Sequence, residues 1–168
     1  MILVGGGSRS GKTRFALDQA MRCGARLAYI ATAEIYDEEM RARAEAHRAE
    51  RADRFETIEE PRDVAGVIAR RGSDFDAIVV DCLTLWASNL MLGGMDDLRP
   101  AATALANVAS ASPAEVVLIT NEVGCGIVPE NELARRFRDQ AGWINQIIGE
   151  QSREVWWIVF GCGLKVKG

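Results

Sequence analysis

Histidine, tyrosine and lysine are the residues this chain has least of. His47 is the single histidine, and Lys12, Lys165 and Lys167 are the only lysines among 20 basic residues. The other 17 basic residues are arginine. One histidine and four scattered cysteines (Cys23, Cys82, Cys125 and Cys162), with no CxxC pair, leave no zinc pattern. No apolar run approaches the roughly 20 residues that cross a bilayer. Met1 leads straight into a strand-like run with no basic region before it, so the thiols are expected to be reduced and the protein cytoplasmic. A net charge of −4 and a pI near 5.1 argue against a nonspecific binder of nucleic-acid backbones.

What is present describes an ordinary globular chain. Its 168 residues are 48% hydrophobic and 26% charged, enough for one domain over residues 1–168 with a self-sufficient core. Short Val- and Ile-rich runs predict strands at Ile2 to Val4, Leu27 to Ala31, Ala77 to Val80, Val116 to Thr120 and Val155 to Phe160. Gly161-Cys162-Gly163 predicts a turn into a short last strand, Leu164 to Lys167. Helical patterns lie between the strands. Leu133, Phe137, Ala141, Ile144 and Ile148 make one apolar stripe at spacings of 4, 4, 3 and 4. Loops are expected at Leu92 to Pro100 and at Val123 to Pro129. Alternating strand and helix predicts an α/β layer fold around a mostly parallel sheet. Trp86, Trp143, Trp156 and Trp157 are expected in the core.

The segment Gly6-Gly7-Ser8-Arg9-Ser10-Gly11-Lys12-Thr13 fits the phosphate-loop pattern G-x-x-x-x-G-K-[ST]. Average composition gives that match in roughly one chain of this size in two hundred. A strand precedes the loop and a helical pattern follows, which is the context the chemistry needs. Glycines let the backbone curl so that N–H groups converge on phosphate oxygens, and a helix amino terminus adds positive potential. Lys12 would reach the β- and γ-phosphates, and the Thr13 hydroxyl would bind Mg²⁺. Asp81, closing the run Ala77 to Val80, is the expected carboxylate for the magnesium shell. Glu122, following Val116 to Asn121, could serve as base, magnesium ligand or substrate contact.

Residues Asp37 to Arg54 form a very polar helical pattern with Met40, Ala44, His47 and Arg51 on one face. A solvated helix explains that composition. A neutral imidazole can also attack phosphorus and hold the group as a phosphoramidate. Nearby arginines would neutralise the triphosphate and keep the ring unprotonated.

Several segments together carry a family resemblance. They are Met1 to Val4 with the phosphate loop, Tyr29-Ile30-Ala31-Thr32-Ala33, and His47-Arg48 with Arg51 ahead of Thr57, Glu59, Glu60 and Pro61. Val80-Asp81-Cys82-Leu83-Thr84-Leu85-Trp86 with Ser88-Asn89-Leu90 follows, then Thr120-Asn121-Glu122-Val123-Gly124 running to Pro129, and Arg135 with Arg138-Asp139. The chain resembles, nearly end to end, the bifunctional adenosylcobinamide kinase / adenosylcobinamide-phosphate guanylyltransferases of cobalamin synthesis. The resemblance implies a RecA-like P-loop NTPase fold and a homotrimer. It implies phosphorylation of adenosylcobinamide by ATP or GTP, then transfer of GMP from GTP to adenosylcobinamide phosphate, giving adenosylcobinamide-GDP. His47 is implied as the guanylylated residue, and Gly6 to Thr13, Thr32, Ala33, Glu34, Arg48, Arg51, Glu59 and Asp81 as nucleotide contacts. Two positions depart from the family's pattern: Ala52 stands where proline is usual, and Phe55 where tryptophan is frequent. The alternatives are a P-loop small-molecule kinase without a covalent intermediate, and a GTP-binding switch that transfers nothing.

Overall fold

The computed structural model describes residues 1–34 and 54–168. Seven described strands form one sheet: β1 (Ile2–Gly6), β2 (Leu27–Ala31), β3 (Phe55–Glu59), β4 (Ala77–Asp81), β5 (Glu115–Asn121), β6 (Glu154–Val159) and β7 (Cys162–Lys167). Their order is β3-β2-β4-β5-β1-β6-β7. All neighbours pair in parallel except β6 and β7, which are antiparallel. The described helices are α1 (Lys12–Met21), α2 (Val64–Arg71), α3 (Leu83–Leu92), α4 (Arg99–Ala111) and α5 (Glu132–Gln151). This is the expected RecA-like α/β architecture.

Strand alternation divides the core in two. Leu3, Ile30, Ile78, Val80 and Leu118 face α2, α3, α4 and α5, where Ile68, Leu83, Trp86, Leu105 and Ile144 meet them. Ile2, Val4, Tyr29, Val79 and Ile119 face the other way, onto Ala16, Leu17 and Ala20 of α1. Because both faces are covered, the inner strands are apolar at nearly every position.

The five predicted parallel strands are all present, most of them slightly longer than expected, and the short last strand begins at Cys162 rather than Leu164. The edge strand β3 was not predicted. Its sequence FETIE is too polar to stand out, and its backbone is ordered by pairing with β2. Phe55, at a departure from the family's pattern, is buried at the start of that strand. The stripe on α5 is inward at Ala141, Ile144 and Ile148, but Leu133 is 54% exposed because the first turn of the helix overhangs the core. Trp86 is buried as expected. Trp143 is not: it is a surface residue with the Arg99 guanidinium 4.8 Å from its ring centroid. Trp156 and Trp157 are half-buried on β6. Glu59 ends β3.

Candidate active site

The carboxyl ends of β1, β2, β3, β4 and β5 share one rim of the sheet. Register places Ala31 beside both Glu59 and Asp81, and Gly6 beside Asn121. The residues that follow these strand ends (Gly7, Thr32 and Glu122 among them) therefore gather where ligands of parallel α/β sheets bind.

The phosphate loop leaves β1 at Gly6. A Cβ there would lie 2.6 Å from Ser10 Oγ and 2.7 Å from the Ile158 carbonyl, so only glycine fits. Arg9 (φ 55°) and Gly11 (φ 94°) are left-handed, and they curl the chain into the amino terminus of α1. The Gly7 carbonyl accepts from the Ser10 N–H at 3.3 Å and from Lys12 Nζ at 3.1 Å. Ser10 Oγ is buried without a hydrogen-bond partner. Ser8 stands exposed at the crest of the loop.

Lys12 is 9% exposed, and burial holds its pKa below the ordinary 10.5 against the opposing pull of Asp81. A desolvated ammonium whose only described hydrogen bond goes to a loop carbonyl is a poorly compensated charge, and bound anionic oxygens would relieve it.

Asp81 Oδ2 accepts the Thr13 hydroxyl at 3.2 Å and the Tyr29 hydroxyl at 2.7 Å. Thr13 and Asp81 thus converge as the sequence predicts. Tyr29 is the partner sequence reasoning missed. The available signal was a polar-tipped aromatic in an otherwise aliphatic buried strand, which needs a hydrogen-bond partner.

Thr32 is fully buried. Its hydroxyl accepts from Cys82 N at 2.8 Å and donates to the Cys82 carbonyl at 2.9 Å. Its own carbonyl accepts from Asn89 Nδ2 at 2.7 Å, and the same amide reaches the Pro61 carbonyl at 3.0 Å. These bonds tie the ends of β2 and β4 to α3. Ala33 and Glu34 follow, with Glu34 paired to Arg62 at 2.8 Å. The Cys82 thiol is pushed up to about 11, first by burial and then by Asp81, so it stays neutral. All four cysteines are free.

Glu122 follows β5 directly. Its N–H donates to the Gly6 carbonyl at 3.3 Å, and its Oε1 accepts from the Gly124 N–H. That sets the Glu122 backbone against the start of the phosphate loop, with its half-buried carboxylate turned onto the Gly124 N–H. Beneath it, the Thr84 hydroxyl accepts from Asn121 N at 2.9 Å and from Asn121 Nδ2 at 3.1 Å. His47, Arg48 and Arg51 lie outside the described residues. A cavity of about 350 Å³ is lined by Asn131, Glu132, Leu133 and Arg136, none of them residues of the loop.

A glycine-rich loop between strand and helix, carrying lysine and threonine, with an aspartate on a strand two positions away, defines a P-loop nucleotide-binding protein. The particular branch follows from comparison. The model of the family described as cobinamide kinase / cobinamide phosphate guanyltransferase matches residues 2–166, and the chain belongs to that enzyme family. It is similar to the bifunctional adenosylcobalamin biosynthesis protein CobU of Salmonella typhimurium, 41% identical over 181 residues that cover 99% of each chain. The Escherichia coli CobU is 39% identical over the same shares. The corresponding CobP of Pseudomonas aeruginosa is 40% identical over 169 residues, covering 99% of this chain and 96% of that one. No described helix is long and apolar enough to cross a membrane.

Proposed function

We propose that this protein phosphorylates the hydroxyl of adenosylcobinamide with ATP or GTP, then transfers GMP from GTP to adenosylcobinamide phosphate, through a guanylyl group carried on His47. The observation that carries this reading is family membership over essentially the whole chain, joined to a phosphate loop whose Thr13 and Asp81 already converge.

Gly6, Gly7, Ser8, Arg9, Ser10 and Gly11 supply the curled backbone that receives the phosphates, and Lys12 meets the β- and γ-oxygens. Ala33, Glu34 and Glu59 stand near the same rim as further nucleotide contacts, while Thr32, fully buried with its hydroxyl on Cys82, supports that rim from beneath and is not itself a contact. Thr13 and Asp81 fit Mg²⁺, because this ion favours one or two hard protein oxygens alongside phosphate and water. Mg²⁺ there would neutralise charge on the β- and γ-phosphates.

In the kinase half, the acceptor hydroxyl attacks the γ-phosphorus as the bond to the nucleoside diphosphate breaks. Glu122 accepts the hydroxyl proton. Asp81 is the less suitable base, since one of its oxygens already accepts two hydroxyl hydrogen bonds. In the transferase half, the neutral imidazole of His47 attacks the α-phosphorus and pyrophosphate leaves, with Arg48 and Arg51 balancing its charge. An oxygen of cobinamide phosphate, already ionised, then displaces the imidazole. The protein is taken to act as a cytoplasmic homotrimer with the His47 segment near a subunit boundary.

The test is incubation with GTP labelled at the α-phosphate. An acid-labile, alkali-stable adduct is expected, mapping to the His47 peptide by mass spectrometry and lost in His47→Ala. Absence of the adduct, or its survival in His47→Ala, would leave a simple P-loop kinase as the better reading.

A further inference from the structure

Asn121 ends β5, the strand that separates β1, which feeds the phosphate loop, from β4, which carries Asp81. In register Asn121 lies beside Gly6 and two residues past Ile119, the partner of Asp81. Alternation settles which face it serves. Val117 and Ile119 of β5, Val79 of β4 and Tyr29 of β2 belong to the core beneath α1. Asn121 and Asp81 continue that side, whereas Thr120 turns the other way and meets Asn145 of α5 at 2.7 Å. Contacts agree with the register: Asn121 Nδ2 lies 3.9 Å from the sulfur of Cys82, itself a member of the α1-side core. Asp81 and Cys82 are also the two groups whose charges act on Lys12. The Asn121 amide is therefore on the face from which Lys12 and Thr13 emerge, at the end of the strand that the Thr13–Asp81 bond crosses.

The amide is held without being used up. The buried Thr84 hydroxyl accepts from Asn121 N at 2.9 Å and from Nδ2 at 3.1 Å, which fixes the angle of the side chain. The second hydrogen on Nδ2 has only the Cys82 sulfur among its described partners, and a neutral thiol is a weak acceptor. An aimed and poorly partnered N–H suits an anionic oxygen. Position decides which one. The loop amides enclose the inner phosphates, and Thr13 with Asp81 marks where the outer ones would meet Mg²⁺. A donor outside the loop, on the strand between those two groups, meets the outermost oxygens.

We propose that Asn121 contacts the terminal phosphoryl group of the bound nucleoside triphosphate, donating from Nδ2 to one of its oxygens and so distinguishing triphosphate from diphosphate. This rests on the nucleotide-binding reading above. Thr84 is the positioning residue that aims the amide.

The experiment measures binding of the α,β-methylene analogues of GTP and GDP, which guanylylation cannot consume, each with Mg²⁺, by calorimetry. The readout is the ratio of the two affinities within one protein, so a partly unfolded sample does not alter it. Asn121→Ala is expected to weaken the triphosphate by about tenfold or more, the worth of a hydrogen bond to a charged group, and to leave the diphosphate within about twofold. Asn121→Asp should lose at least as much, because a carboxylate has no N–H to give and repels a phosphate. Thr84→Val should shift the ratio in the same direction, and it decides the matter if the Asn121 variants do not fold. A ratio in Asn121→Ala within about twofold of wild type overturns the proposal, since a hydrogen bond to phosphate is worth more than that. Equal losses for both analogues overturn it too, by making Asn121 a support of the loop. Wild-type affinity in Asn121→Asp would make the position a magnesium ligand and likewise overturn it. Wild type that binds neither analogue would sink the nucleotide reading itself.

Discussion

The Thr13 hydroxyl donates to Asp81 over 3.2 Å although β5 separates the two strands from which these residues extend. The loop and the first turn of α1 lean over β5 to make that contact. Tyr29, on the far side of β4, fixes the same carboxylate oxygen at 2.7 Å. Asp81→Asn should lower both half-reactions by about a hundredfold or more, through lost charge stabilisation. Tyr29→Phe should act more gently, raising the Mg²⁺ concentration needed for half-maximal rate by about tenfold, as loss of an outer-shell partner does. Titration of activity against Mg²⁺ separates the two. An unchanged Mg²⁺ dependence in Tyr29→Phe would remove Tyr29 from the site's support.

Glu122 and His47 should separate the two activities. In Glu122→Gln the phosphoryl-transfer rate is expected to fall by about a hundredfold to ten-thousandfold, the range of a lost general base. Guanylylation of the protein should persist, because neither an imidazole nor an ionised phosphate needs a proton removed. Parallel assays of cobinamide phosphorylation and α-label incorporation check this. Equal losses in both would recast Glu122 as a residue that shapes the loop.

Burial of Lys12 predicts a proton linkage. Its folded pKa lies below 10.5, so a triphosphate that stabilises the ammonium must raise it again. Binding should therefore take up protons at alkaline pH, and affinity should fall as pH rises through the lowered pKa. The same shift makes folding stability greater above that pKa than below it, since the unfolded chain binds the proton more readily. Calorimetry in two alkaline buffers of different ionisation enthalpy measures the uptake, and Lys12→Met should abolish it.

Asn89 tests the support beneath the site. It is 4% exposed, and its amide serves the carbonyls of Thr32 and Pro61. Asn89→Ala leaves both without that donor and should cost about 1–3 kcal/mol of stability. The expected signature is a lower urea midpoint at unchanged slope. A midpoint like that of the wild type would mean that water replaces the amide.

Much of the architecture was legible because its signals are local. Apolar runs such as Ala77–Asp81 and Leu27–Ala31 announce strands buried on both faces. Two glycines of the phosphate loop hold backbone that other residues rarely follow: Gly6, wedged between Ser10 and Ile158, and Gly11, at φ 94°. β3 was hidden because its order comes from a neighbour and not from its own composition. Trp143 was misjudged because an aromatic on a helix says nothing of which side its neighbours occupy; Arg99, far away in sequence, covers it.

The amino-acid sequence by itself determined the strand–loop–helix, the presence of a lysine, a threonine and an aspartate suited to a nucleotide's phosphates, and the resemblance that the family model matches. Only the tertiary structure decided that Tyr29 would share Asp81 with Thr13, that Thr32 would spend its hydroxyl on Cys82, that Glu122 would stand beside Gly6, and that Gly161 would be bonded to the Ser10 carbonyl. Those relationships depend on strand order and register. These are settled by how the strands and helices bury the two cores on either face of the sheet, and no short window of sequence contains them.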